Sequence, residues 1–226
     1  TSNIGLGANA VDSITTGDYN VGLGDNAGTV ITTGARNTAI GYNALSTNTV
    51  TSGNTAVGKD ALKVSVADYN TAVGDGALVA NTTGTQNVAV GKDALKANTT
   101  ASYNNAFGYQ ALMTQVADGV ENNAFGTAAL QMNTTGDHNS AFGNEALEEN
   151  TTGRHNVGFG NYALTNNTTA DNNCAIGSSA LGLNVTGANN IAIGKNAMYN
   201  NTTGANNVAV GYQALDSNTT GADNTA

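Results

Sequence analysis

The chain has no proline, no tryptophan, one cysteine (Cys174) and only 10% charged residues among its 226. Each scarcity removes a class of protein. A lone cysteine cannot build an intrachain disulfide framework. Glycine is plentiful, at 29 residues, but without proline or a three-residue period it does not make collagen. The 7 basic residues are outnumbered by 16 acidic ones, for a formal charge of −9, and they form no patch. Nucleic acid is therefore not an expected partner. No apolar run approaches the ~18 residues of a membrane span, so no membrane insertion is expected in this segment.

What the chain does have is a period. The stretch Asn87-Val88-Ala89-Val90-Gly91-Lys92-Asp93-Ala94-Leu95 recurs from end to end as Asn-x-Ala-φ-Gly-x-x-Ala-Leu, with φ a large apolar residue. Its Gly falls every 17 residues from Gly7 to Gly211, except for one spacing of 16 (Gly58 to Gly74) and one of 18 (Gly108 to Gly126). A short period over a whole chain means a stack of small units, none able to bury its apolar face alone. The expected organisation is one repeat domain over 1–226 with thirteen rungs. A fourteenth repeat is interrupted at Asn224-Thr225-Ala226, so an excerpt of a longer fibre is expected.

The first half of each unit reads as a strand, because alternate side chains segregate by type. One face carries Asn, then Ala, then Gly. The other carries x and φ. The φ row comprises Leu6, Leu23, Ile40, Val57, Val73, Val90, Phe107, Phe125, Phe142, Phe159, Ile176, Ile193 and Val210, and is never polar. Two mostly polar residues then predict a solvent-facing turn. The Ala that follows never varies, which suits a tight interior, and the Leu after it is the expected core filler.

The second half, typified by Asn81-Thr82-Thr83-Gly84, reads as a second, half-buried strand. Its glycine is expected to turn the chain through positive φ. The repeated asparagines Asn20, Asn37, Asn54, Asn70, Asn87, Asn104, Asn122, Asn139, Asn156, Asn173, Asn190 and Asn207 are expected to sit at turns and form a hydrogen-bonded structural ladder.

Together these features predict an all-β fold, a repetitive β-solenoid or parallel β-roll of 17-residue rungs. Neither strand face carries charge, so both should be buried. A thin coil has only one interior. The φ residues from Ile40 to Val210 are thus expected at a chain–chain interface or in the core, with self-association the simplest cover. Where φ is Phe107, Phe125 or Phe142, x shrinks to Asn105, Asn123 or Ser140, as a shared packed space requires, although Val157 beside Phe159 does not follow.

The phrase Asn-x-Ala-φ-Gly-x-x-Ala resembles the head repeats of trimeric autotransporter adhesins. Repeats such as Asn207-Val208-Ala209-Val210-Gly211 with Asn218-Thr219-Thr220-Gly221 also resemble those of phage tail fibres. The resemblance implies a left-handed parallel β-roll in a homotrimer, intertwined or side by side. It also implies an extracellular, cell-surface or virion location, and a host-surface glycan or protein receptor as partner. A single-chain solenoid is the alternative, as an extracellular filament or a binder of ice or glycans.

Several residues are of types that can carry chemistry. His138 and His155 should stack on adjacent rungs beside Asp137 and Arg154, as polar residues of a solvated corner rather than a metal site. Cys174 takes an x position and reads as a buried small apolar residue. Asp18, Asp68, Asp137 and Asp171 stand two residues before the repeated Asn, without the nonapeptide of calcium-binding rolls. The neighbours Thr82 and Thr83 are expected on opposite faces, which argues against a flat ice-binding array. Asn-x-Thr sequons at Asn81, Asn98, Asn133, Asn150, Asn167, Asn184, Asn201 and Asn218 read as turn and ladder elements rather than glycan sites. Tyr42, Tyr109 and Tyr212 are several rungs apart and make no platform. No cofactor and no enzymatic activity are expected.

Overall fold

The computed structural model describes residues 2–226. Its contacts divide the chain into two compact units, the first ending at Gln110 and the second starting at Ala111.

The first unit holds β1 (Ile4–Leu6), β2 (Val21–Leu23), β3 (Thr38–Ile40), β4 (Thr55–Val57), β5 (Thr71–Val73), β6 (Val88–Val90) and β7 (Asn105–Phe107). They pair in chain order, parallel and in register, with Val88 against Thr71 on one side and Asn105 on the other. The second unit holds β8 (Asn123–Phe125), β9 (Ser140–Phe142), β10 (Val157–Phe159), β11 (Cys174–Ile176), β12 (Ile191–Ile193) and β13 (Val208–Val210). These also pair in order and in register. Each unit is a parallel β-solenoid, one rung per repeat.

Each strand has three residues and ends at a glycine whose φ lies in the left-handed half of the map, +132° at Gly58. A Cβ on Gly58 would lie 2.5 Å from the carbonyl oxygen of Gly74 in the next rung. No other residue fits there.

A turn follows, and two of its residues are left-handed, for example Asp93 at φ 59° and Leu95 at φ 49°. A third left-handed residue precedes the repeated Asn, as at Gln86 with φ 57°. This one does the work expected of the glycine in Asn-Thr-Thr-Gly. Gly84 has no positive φ, and Thr51, Ala67, Ala101 and Ala170 occupy its place in other rungs. The expected second strand is likewise absent, and Thr82 and Thr83 form a bend. The reason is visible in the backbone, since both of their N–H groups donate to one carbonyl, that of Thr99, at 2.8 and 3.1 Å. A ladder strand would spread those bonds over alternate residues.

The interior of each rung is narrow. The strand alanines between Ala39 and Ala209, the turn alanines from Ala27 to Ala197 and the Leu row from Leu45 to Leu181 are fully buried, with Met198 in the Leu position of its rung. Two columns of Asn complete the core. Where the first rungs depart from consensus, the space is re-divided. Gly28 replaces Leu and Ile31 replaces the second Asn, and the Ile31 Cδ1 lies 2.9 Å from where a Gly28 Cβ would be. Val11 replaces Leu in the preceding rung, and its Cγ atoms stand 2.6 and 2.9 Å from Cβ positions at Gly5 and Gly22. These glycines replace the strand Ala because Val11 occupies its room.

Candidate functional site

The x and φ side chains point away from this core. In β2 to β9 they are half-buried on either side of a buried residue. Ile40, Val57, Val73, Val90, Phe107, Phe125 and Phe142 are therefore half-exposed. Phe159 (56% exposed), Ile176, Ile193 and Val210 (58%) are more open still. Phe125 stacks on Phe142 with ring centroids 4.8 Å apart and planes at 4°, and Phe142 on Phe159 at 5.7 Å. None of these residues belongs to the core of its own chain. In each unit they form an outer sheet face without charged side chains, apolar along the φ row, while x is Thr, Asn or Ser on β3–β5 and β7–β9. The φ row thus lacks the polar residues that a solvated sheet face ordinarily shows.

The repeated asparagines lie on the inner side. Asn20 to Asn207 are all buried. The Oδ1 of Asn20 accepts from the backbone N–H of Asn37 at 3.0 Å, and its Nδ2 donates to the Gly34 carbonyl at 2.8 Å. The same pair of bonds recurs at Asn139, which accepts from the Asn156 N–H at 3.0 Å and donates to the Gly153 carbonyl at 2.8 Å. Because each amide serves its own rung and the next, none is left to a ligand.

The asparagines of the Asn-x-Thr sequons, which read as turn and ladder elements in the sequence, form a second column, and its burial goes beyond that reading. It contains Asn48, Asn81, Asn98, Asn133, Asn150, Asn167, Asn184 and Asn201. Asn150 Nδ2 donates to Asn133 Oδ1 at 2.9 Å and to the Gly153 carbonyl at 3.0 Å. The recurrence of Asn at this slot was the available signal, but an Asn inside an assumed half-buried strand offered no reason to place it inward.

The bend beyond this column carries threonines in two neighbouring columns, both reaching solvent. In the second unit they run from Thr134-Thr135 to Thr219-Thr220, with Val185 the one apolar substitute. The first-column hydroxyls donate to the next rung, Thr134 to the Thr151 carbonyl at 2.9 Å and Thr151 to that of Thr168 at 2.9 Å. Thr82 and Thr83 are thus not on opposite faces, which corrects the ground on which a threonine array was set aside. A bend lacks the two-residue alternation of a strand.

Charged groups are few, and Lys59 and Lys63 pair with Asp60 and Lys96 with Asp93. His138 and His155 stack with centroids 4.9 Å apart, and His138 Nε2 is 3.3 Å from Glu121 while Arg154 is 3.2 Å from Asp137. Among the described residues no group of three His, Cys, Asp or Glu is placed to hold a metal ion. Asp68 and Asp171 accept backbone N–H bonds from Ser52 and Arg154, both at 2.7 Å. Burial pushes the Asp60 carboxyl up, but Asn43, Lys63 and Lys59 outweigh it and hold the group below its ordinary value.

Glu148 is held above its ordinary value by burial and by the charges of Glu145 and Glu149. It lines an open hollow of about 350 Å³ with Met132, Glu149, Thr151 and Thr168. Cys174 is half-buried on the outer face rather than in the core, and burial raises its thiol. All eight tyrosines are exposed. No protein-family model matches the chain, and no curated protein matches it.

Proposed function

We propose that the chain is a non-enzymatic structural fibre or spike segment, part of a phage tail fibre or a bacterial surface adhesin, that acts outside the cell or on the virion. The outer sheet face carries the proposal. Its φ row is apolar on every strand, no strand carries a charge, and the row is half-exposed or exposed in the single chain. Covering it with further copies of the same chain, three in a homotrimer, removes that surface from water. Such an assembly repeats every outer corner threefold, and weak contacts to a host glycan or protein then add as avidity, worth roughly 10²–10⁴ over a single site.

One observation favours a different role. The two threonine columns of the second unit form a regular array of hydroxyl and methyl groups, which suits a single-chain solenoid that binds ice or glycans. The test compares the chain with a variant carrying Val90→Lys, Phe142→Lys and Ile193→Lys, on glycan arrays and on bacterial cells. The spike role predicts multivalent binding that falls at least ~100-fold in the variant. Equal binding by both proteins, or ice-growth inhibition by a monomeric chain, supports the solenoid role instead.

A further inference from the structure

The eight Asn-x-Thr sequons coincide with the second buried asparagine column. From Asn81 to Asn201, seven of these side chains have no exposed surface, and Asn218 is half-buried. N-glycosylation requires Nδ2. Transfer forms a bond between that nitrogen and the anomeric carbon of a lipid-diphosphate oligosaccharide. The carbon–oxygen bond to the diphosphate breaks, the diphosphate leaves with the electron pair, and one Nδ2 proton passes to a base. A modified asparagine keeps a single N–H.

In the folded chain both N–H groups are already in use. Asn98 donates to Asn81 Oδ1 at 2.9 Å and to the Ala101 carbonyl at 3.1 Å. Asn167 does the same to Asn150 at 2.9 Å and to Ala170 at 3.1 Å, and Asn184 to Asn167 at 3.0 Å and to Gly187 at 2.9 Å. A glycan therefore removes one buried bond and places a sugar where no space exists. Leaving the partner acceptor unpaired in the core adds to the loss.

We infer that N-glycosylation of this column and formation of the fold are mutually exclusive, so that the chain is suited to folding in a compartment without N-linked oligosaccharide transfer. This follows from the column alone and is independent of what the outer faces bind. The sequence carries its own controls. The third sequon position, as at Thr83, Thr100 and Thr203, is exposed, so Thr→Ala there abolishes the acceptor and spares the ladder. Two further sequons, Asn166-Asn167-Thr168 and Asn200-Asn201-Thr202, begin at half-buried surface asparagines outside the column.

The test expresses three proteins: the chain in a bacterial cytosol, the chain in a eukaryotic secretory lumen, and in the lumen a variant with Thr→Ala at position three of all eight column sequons. Mass spectrometry assigns the glycans, with Asn166 and Asn200 reporting whether the chain met the transferase. Circular dichroism and protease resistance report the fold. We expect the lumenal chain to carry column glycans and to be protease-sensitive without a sheet signal, while the variant matches the cytosolic protein. If the variant fails to fold in the cytosol, blocking synthesis of the lipid-linked sugar in the lumen replaces it, and folding of the unaltered chain is then expected. A column-glycosylated chain with the cytosolic protein's melting curve overturns mutual exclusion. A lumenal chain with glycans only at Asn166 or Asn200 and a native fold overturns the compartment requirement.

Discussion

Gln115 accepts a hydrogen bond from Nδ2 of Asn133 at 3.3 Å, in the column where most rungs pair asparagine with asparagine. It also accepts from Asn122 at 3.3 Å, and its own amide donates to Gly119 within the bend. Gln115 belongs to the one rung of 18 residues. The extra residue widens the bend, and the extra methylene carries the amide back to the column. The rung of 16 residues does the reverse: Ser65 is buried in the same slot and accepts from Asn81 at 3.4 Å. Rung length and ladder side chain vary together.

Gln115→Asn should therefore destabilise the fold by about 1–3 kcal/mol, since the shorter side chain leaves buried donors unpaired. Chemical denaturation of wild type and variant checks this. An unchanged midpoint would show that the insertion does not set the side-chain length.

The re-divided space of the second rung gives a sharper test. Gly28→Leu alone runs into Ile31, and Ile31→Asn alone leaves a void and an unmatched amide. The double variant restores the consensus rung. A double-mutant cycle should show favourable coupling of about 1–3 kcal/mol. Additive effects would contradict the compensation.

Much of this was legible in the sequence, for reasons that differ by residue. The 17-residue period with Ala fixed after each turn dictated a stack of parallel strands with small residues inside, and the strands and the Ala and Leu rows lie accordingly. The φ row was legible as apolar, but a sequence cannot say which apolar face a single chain keeps for itself. Phe125 and Phe142 are placed outward because the opposite face, with Ala124 and Ala141, fits the narrow core. Asn-Thr-Thr reads as a strand because two Thr in a row suit β structure, whereas in the fold their N–H groups converge on one carbonyl. The left-handed Leu row had no signal at all, since Leu rarely takes that conformation.

The left-handed residue before each repeated Asn is exposed and varies freely. Asn tolerates that conformation better than most residues. Gln86→Asn, at φ 57°, should stabilise the chain by about 0.5–1 kcal/mol, and Gln86→Val should destabilise it by more than ~1 kcal/mol. Thermal melting of the two variants reads both signs. A Val variant as stable as wild type would contradict the assigned backbone.

Glu148 sets a pH dependence. Its folded carboxyl holds a proton to higher pH than the unfolded one, for the reasons of burial and neighbouring charge given above. The native state then binds more protons in the window just above the ordinary carboxylate range, so stability falls as pH rises through it. Glu148→Gln should raise the melting temperature at pH 7 and leave little difference at acidic pH, where Glu148 is protonated in both states. A variant less stable than wild type at pH 7 would contradict the assignment.

Copies of the same chain are proposed to cover the charge-free outer face. Sedimentation equilibrium of the purified chain measures this most directly, alongside the variant with Val90→Lys, Phe142→Lys and Ile193→Lys. A homotrimer gives a particle of three times the 22.5 kDa chain mass for the wild type and dissociation of the variant. A wild-type chain sedimenting at 22.5 kDa across the concentration range, with its outer face bare, would contradict it.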